Sequence, residues 1–467
     1  MIRRSLAAAG AAVLLLSVSS AALGAPPKDP LPRPASLGVA AVQTPPEVAA
    51  RLGERRGAYA QQVFPGQTGE ALGVRAGDVI LSVDGKPTPT PAELVASVRG
   101  LSPGKTVTLR VWRDGAERTL TGKALERPKE SYAGAVTTYG AVPFQGGHLR
   151  DILVMPAGKP GAPVVFLIQG YTCASIDYAN PETAHRKLVS ALVARGIGVY
   201  RVEKPGVGDS RGTPRCLDTD FDVEMAGFEA AYAHLEKVHG VGSERTFLLG
   251  HSMGGVQAPL LAARRSPRGV AVFGTVVKNW HDYHFDLLRT QQALMGTGGA
   301  AEGEERAERL RDLVRRFYLE RRSLASLAAE SPENDRLLRE VFGWEGGPML
   351  LDRHETFWHD LAHLRLAAAW RDTKSRVLSL YGGSDLVALT GEDQRYIEVI
   401  VNGYRPGTAK FVELPGVGHG MDPIGTPAEI RARARAGEPP LGGGFSPEVA
   451  TTLIAWIEES MRLPPVA

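Results

Sequence analysis

Cysteine is nearly absent, at 2 of 467 residues, and neither sign of charge dominates, with 54 Lys and Arg against 51 Asp and Glu. A balanced chain with no basic cluster argues against nucleic acid as the main partner. Of the three net positive charges, two belong to Arg3 and Arg4. Long apolar runs are lacking too, and nothing beyond residue 24 reads as a transmembrane helix. Metal-ligand patterns are poor. His359 and His363 stand four apart without the Glu of a His-Glu-x-x-His site, and His281 and His284 make no better set, so no metal is expected. The run Glu203-Lys204-Pro205-Gly206-Val207-Gly208-Asp209-Ser210-Arg211-Gly212 is glycine-rich, but its Lys and Ser are not at P-loop spacing, which argues against nucleotide binding. What remains is an ordinary globular composition, 43% hydrophobic and 22% charged, long enough for two or more domains.

Residues 1–24 read as a secretory signal: Arg3 and Arg4, an apolar stretch over 6–18, then small residues in Ala22-Leu23-Gly24. The apolar stretch is short for a membrane span, which disfavours the alternative of an uncleaved anchor. No Cys sits at the cleavage position, so a lipid anchor is not indicated. The expectation is export to the periplasm or beyond, and two cysteines suit such an oxidising compartment. A Pro-rich linker follows over residues 25–34.

The most telling segment is Gly250-His251-Ser252-Met253-Gly254. It follows the apolar run Thr246-Phe247-Leu248-Leu249 and precedes a small-residue helical stretch over 255–264. In that strand–turn–helix setting it matches the Gly-x-Ser-x-Gly nucleophile elbow, which holds a serine out of the sheet in a strained turn. Two later strand ends carry possible partners. The run Arg376-Val377-Leu378-Ser379-Leu380-Tyr381 leads into Gly382-Gly383-Ser384-Asp385, and Lys410-Phe411-Val412-Glu413-Leu414 leads into Pro415-Gly416-Val417-Gly418-His419-Gly420. An early strand, Val164-Val165-Phe166-Leu167-Ile168, is followed by Gln169-Gly170-Tyr171-Thr172.

On these motifs the chain resembles the α/β-hydrolase superfamily from residue 128 to the C-terminus. The resemblance implies a mostly parallel sheet flanked by helices and the chain order Ser, acid, His. Ser252 is then the nucleophile, His419 the base and Asp385 the acid that orients it, with Asp393 and Asp422 as lesser rivals because neither ends a strand. The oxyanion donors would be the backbone N–H groups of Tyr171 and Met253. Gln169 departs from the His common there, but the donor is a backbone group. The 203–212 run resembles a loop that braces the active-site face in such hydrolases. Cys173 and Cys216 lie in two loops that this fold raises on one face, so a disulfide between them is expected, with two free buried thiols as the alternative.

Residues 35–127 have a different texture. Gly77-Asp78-Val79-Ile80-Leu81-Ser82-Val83-Asp84-Gly85 alternates into a turn, residues 91–99 look helical, and a strand over 107–112 enters the turn Arg113-Asp114-Gly115. With Leu37-Gly38-Val39 and the run Arg75-Ala76-Gly77-Asp78-Val79-Ile80, these resemble a PDZ domain of the bacterial envelope-protease type, a small α+β fold. The resemblance implies peptide binding by strand addition, with a terminal carboxylate received at Leu37, Gly38 and Val39, or a docking role with no peptide ligand. A lid insertion is expected over about 281–373, with helices over 302–322 and 331–341 and a flexible loop over 296–303; Trp280, Phe342, Trp344, Phe357 and Trp358 would be lid core, with the lining of an acyl pocket as the alternative. The overall expectation is an exported serine hydrolase cleaving ester or related acyl bonds without metal or organic cofactor. Its partners would be a small acyl substrate or peptide, and a protein C-terminus at the PDZ domain. The alternatives are a serine peptidase with the same residues and a non-catalytic peptide-binding adaptor.

Overall fold

The computed structural model describes residues 29–53, 55–98, 101–438 and 442–466; the signal segment 1–24 and the start of the 25–34 linker lie outside them. Among the described residues no helix is long and apolar enough to cross a membrane.

The N-terminal domain is a sheet of β1 (Val39–Gln43), β2 (Ala58–Val63), β3 (Val79–Val83), β4 (Lys86–Pro87), β5 (Thr106–Arg113) and β6 (Ala116–Lys123), in the order β1-β2-β3-β5-β6 with β4 beside β3. The buried β3 sends Ile80 and Val83 into one core with Val107, Leu109 and Leu94 of the helix Pro91–Val98, and Val79 and Leu81 into another with Leu52 and Trp112. Asp114 and Gly115 have φ of 52° and 86°, the left-handed pair that a two-residue hairpin turn requires. Asp78 explains the Arg75–Ile80 run. Its buried carboxylate accepts from the Arg75 N–H at 2.8 Å and from both Nε and Nη2 of Arg113 at 2.6 Å, tying the loop before β3 to the β5–β6 hairpin. β1 pairs with β2 alone and so forms a sheet edge.

The described part of the linker, residues 29–34, is packed onto the C-terminal domain. Leu31 and Arg33 are buried. Arg33 reaches Asp177 at 2.7 Å and Asp209 at 3.0 Å, while Arg127, at the far end of the N-terminal domain, meets Asp209 at 2.8 Å. Arg150 completes the group, 3.2 Å from Asp209 and 2.7 Å from Asp29. Charges removed from water need close partners, and here the partners hold both ends of the N-terminal domain against the C-terminal one.

That sheet has eight strands: β7 (Ala135–Phe144), β8 (Gly147–Pro156), β9 (Val164–Ile168), β10 (Gly198–Val202), β11 (Thr246–His251), β12 (Gly269–Phe273), β15 (Arg376–Gly382) and β16 (Ala409–Leu414); β13 (Met349–Leu350) and β14 (Arg353–His354) form a separate hairpin. The order is β7-β8-β10-β9-β11-β12-β15-β16, antiparallel at β7 and β8 and parallel from β10 onward. β9 to β12 are buried throughout, as strands with helices on both faces must be. Phe166 packs edge-on against Tyr200 on one face and Phe247 against Trp456 of the C-terminal helix on the other. Strand order reverses around β9, whose neighbours are β10 and β11. The crevice beyond the carboxyl ends at such a switch point is where ligands bind in open α/β sheets.

Helices Trp280–Met295, Ala300–Tyr318, Leu324–Ala328, Pro332–Glu340, Glu355–Leu361 and Leu366–Asp372 fill the insertion between β12 and β15. The loop expected over 296–303 is shorter, since a helix begins at Ala300 and Gly303 is buried within it. A Cβ on Gly303 would lie 2.2 Å from the Arg289 carbonyl oxygen, so this glycine permits close helix packing. Phe342, Trp344, Phe357 and Trp358 are cap core. Trp280 is only partly buried and reaches the cleft described next.

Candidate active site

Ser252 follows β11 directly and takes φ of +56°, the left-handed conformation of a sharp strand-to-helix turn. Its flanking glycines are required by space. A Cβ on Gly250 would lie 2.3 Å from the Gly254 carbonyl oxygen, and one on Gly254 would lie 2.0 Å from that of Ile168. The Ser252 N–H donates to the Phe273 carbonyl at 2.9 Å, anchoring the turn to the end of β12.

The loop after β9 lies against the serine, since a Cβ on Gly170 would be 3.3 Å from Ser252 Cβ and 3.6 Å from its Oγ. Among the described hydrogen bonds, neither the Tyr171 N–H nor the Met253 N–H has a protein acceptor. The disulfide Cys173–Cys216, with Cα atoms 5.8 Å apart, ties this loop to the segment after the glycine-rich run.

Asp385 and His419 meet, with Oδ2 to Nδ1 at 2.8 Å. The other carboxylate oxygen, Oδ1, accepts from the N–H groups of Val387 and Ala388, both at 2.8 Å. The Asp385 side chain is wholly buried and that of His419 is 22% exposed. Asp393 is engaged elsewhere, accepting from the N–H groups of Val277 and Lys278 at 3.0 and 3.1 Å. Asp422 Oδ2 accepts from the Gly443 N–H at 3.4 Å.

Two features of this corner escaped the sequence. Gly274, at φ +61°, ends β12 where a Cβ would stand 2.7 Å from Asp385 Oδ2 and 3.0 Å from His419 Nδ1. Its signal was a glycine closing an apolar strand. His251, inside the elbow motif, lies with Nε2 2.8 Å from the His419 carbonyl and Nδ1 3.2 Å from His185 Nε2. Burial drives the pKa of His251 well below the ordinary imidazole value and lowers that of His185 to about 4. Both rings are therefore neutral near pH 7, and His251 donates from Nε2 to hold the loop that carries His419. A small open cleft lies above, lined by Ser252, Met253, Thr275, Trp280, Tyr283 and Ala388 among others.

Beneath the rim sits Glu203, fully buried and in no ion pair among the described residues, accepting from the Ser175 hydroxyl and, at 3.1 Å, from the Ile176 N–H. Burial pushes its carboxyl up to about 7 from 4.5. A carboxyl raised in the fold favours its protonated form, so its stabilising contribution is full below about pH 4.5 and is lost as pH rises through about 7. Glu203→Gln, which imitates the protonated form, is therefore expected to raise Tm relative to wild type at about pH 8 and to change it little at about pH 4. Melting both proteins at the two pH values checks this, and an equal difference at both would contradict it. Elsewhere, Asp151 Oδ2 lies 2.7 Å from His239 Nε2 and 3.8 Å from His234 Nε2. The shorter contact is a hydrogen bond between the two side chains, and no metal role is assigned to the group.

A family model described as the alpha/beta hydrolase family matches residues 165–433, more than half of the chain. The chain belongs to the alpha/beta hydrolase family. The matched span of this alpha/beta hydrolase includes Ser252, Asp385 and His419, and a PDZ-domain model matches residues 35–123 ahead of it. The hydrolase is similar to the probable periplasmic serine endoprotease DegP-like of Rhizobium meliloti (strain 1021), 30% identical over 148 residues, which are 30% of this chain and 28% of that relative. It is also similar to the periplasmic pH-dependent serine endoprotease DegQ of Escherichia coli (strain K12), 36% identical over 125 residues, 26% of this chain and 27% of that protein. The chain thus spans less than a third of the length of these curated relatives. Among solved structures, Est1E from Butyrivibrio proteoclasticus with ferulic acid bound has a TM-score of 0.43 at 15% identity, covering 69% of this chain and 99% of that one. Proline iminopeptidase of Mycobacterium smegmatis has a TM-score of 0.41 at 16% identity, covering 70% and 99%.

Proposed function

We propose that this alpha/beta hydrolase is an exported serine hydrolase that cleaves carboxylic ester or related acyl bonds through an acyl-enzyme. Ser252 Oγ attacks the substrate carbonyl while His419 Nε2 takes its proton. Asp385 keeps the Nδ1 proton of His419 in place and stabilises the imidazolium. The N–H groups of Tyr171 and Met253 bind the developing oxyanion, a fixed pair of donors that need no reorganisation during the reaction. His419 then returns the proton to the leaving group and activates water for deacylation. The single observation that carries this reading is the 2.8 Å Asp385–His419 pair packed against Gly274, beside a serine held at positive φ. The disulfide supports export, since such bonds persist in oxidising compartments.

A serine peptidase with the same residues is the second reading. It is favoured by the PDZ sheet edge at β1, where an extended peptide can add as a strand with its carboxylate at Leu37, Gly38 and Val39. In this domain the N–H groups of Leu37 and Gly38 have no acceptor among the described hydrogen bonds. The purified chain is to be assayed on matched p-nitrophenyl esters and p-nitroanilide peptides. The expected result is ester cleavage with amide cleavage lower by orders of magnitude. Comparable amide cleavage would overturn the esterase reading in favour of the peptidase, with the PDZ domain selecting chain ends.

A further inference from the structure

Behind the loop after β9 lies a buried charged cluster that the mechanism above does not use. Lys204, Glu224 and Arg353 are each at most 1% exposed. Glu224 Oε1 takes the Lys204 ammonium at 2.9 Å and the Gln257 amide at 2.8 Å, and its Oε2 takes Arg353 Nη1 at 2.8 Å. Two cations thus share one carboxylate, an arrangement costly to bury unless the surplus charge has further partners. Those partners are the carbonyls of the loop beside Ser252. Lys204 Nζ donates to the Gly170 oxygen at 2.6 Å, and Arg353 Nη1, from the cap hairpin β13–β14, donates to the Tyr171 oxygen at 2.8 Å.

We propose that Lys204 is a positioning residue for the oxyanion hole: by gripping the Gly170 carbonyl from behind, its ammonium aims the Tyr171 N–H into the cleft. The inference rests on the reading of Ser252 and Tyr171 given above and names what sets the donor's direction. The Gly170 C=O and the Tyr171 N–H belong to one planar trans peptide, in which the two bonds point in opposite directions. Fixing the oxygen on the buried side therefore fixes the hydrogen on the other. A charged donor on the carbonyl also polarises the peptide and strengthens its N–H. The surplus positive charge behind that peptide favours negative charge in front of it. Glu224 extends the same frame to the second donor, because Gln257 stands one turn into the helix that begins just after Met253. Arg353 holds the other side of Tyr171, so the cap contributes to the same alignment.

The test compares wild type with Lys204→Met, which keeps the aliphatic stem, removes the charge and leaves Glu224 paired with Arg353. Ester hydrolysis should show kcat about 100-fold lower with KM within about threefold of wild type, the signature of a misaimed transition-state contact. The affinity for a substituted phenylboronic acid, which forms a tetrahedral adduct with the serine, should fall by a similar factor. A role confined to folding would lower Tm without that parallel. Lys204→Gln has neither the charge nor the reach; it is expected to show the same split and serves if the Met variant does not fold. A kcat within about threefold of wild type, or a lower kcat with boronate affinity unchanged, overturns the proposal. Wild-type protein that a fluorophosphonate does not label at Ser252 would instead remove the site on which the proposal rests, a failure visible before any Lys204 variant is made.

Discussion

Ser252→Ala is expected to lower kcat for ester hydrolysis by about 10⁴- to 10⁶-fold and to shift Tm by no more than a few degrees. The kinetic part follows from chemistry, because no other hydroxyl takes the place of Oγ in forming the acyl-enzyme. Any residual rate would come from substrate binding and the oxyanion donors, which the substitution leaves in place. The stability part follows from the local structure. Ser252 holds its turn through its backbone N–H, which donates to Phe273, and Ala bears the same Cβ at the same positive φ. The turn geometry is imposed by Gly250 and Gly254, which remain. Circular dichroism and fluorophosphonate labelling, run alongside the assay, separate lost chemistry from lost folding. A folded Ser252→Ala protein with wild-type turnover or labelling would end the serine-hydrolase reading.

Asp385→Asn is expected to lower kcat by about 10⁴-fold at neutral pH, again with the fold intact. Oδ1 of Asp385 accepts two backbone N–H groups, from Val387 and Ala388. An Asn would keep its carbonyl on those two donors and turn its NH₂ toward His419 Nδ1. That donor forces Nδ1 to be the acceptor, so the ring proton moves to Nε2. An imidazole with Nε2 protonated cannot take the serine proton, and no carboxylate remains to stabilise the imidazolium. The Asp385 carboxylate is fully buried, beside Gly274. Turnover within about tenfold of wild type would point to a different orienting group, with Asp422, two positions past Gly420, the next to replace.

Much of this was legible in the chain. Parallel strands buried on both faces read as unbroken apolar runs, so β9, β11 and β15 could be placed, while the edge strand β16 showed as a shorter apolar run interrupted by Glu413; with them came the loops at their carboxyl ends. Ser252, Asp385 and His419 sit at three such ends, where the topology brings distant residues to one edge. The PDZ reading rested on local turn chemistry, and the left-handed Asp114–Gly115 pair is such a turn. Gly303 went the other way. Small residues over 296–303 suggest a loop, but tertiary packing against Arg289 overrides that local preference.

The sequence by itself determined the two-domain order and the strand-end positions of the candidate residues, because each depends on local pattern; that Cys173 and Cys216 are bridged rather than two free thiols was decided by the structure. Only the tertiary structure decided the rest. Gly274 makes room for Asp385 and His419 from another strand, and His251 and His185 brace a loop that lies far along the chain. Arg33 and Arg127 bind both ends of the PDZ domain to Asp209, so that the described part of the linker belongs to the packed body. Lys204 and Arg353 reach the Gly170–Tyr171 loop from separate segments. In each case the partner is set by where buried charge, hydrogen bonds and close contacts are satisfied in space, and nothing in local periodicity carries that information.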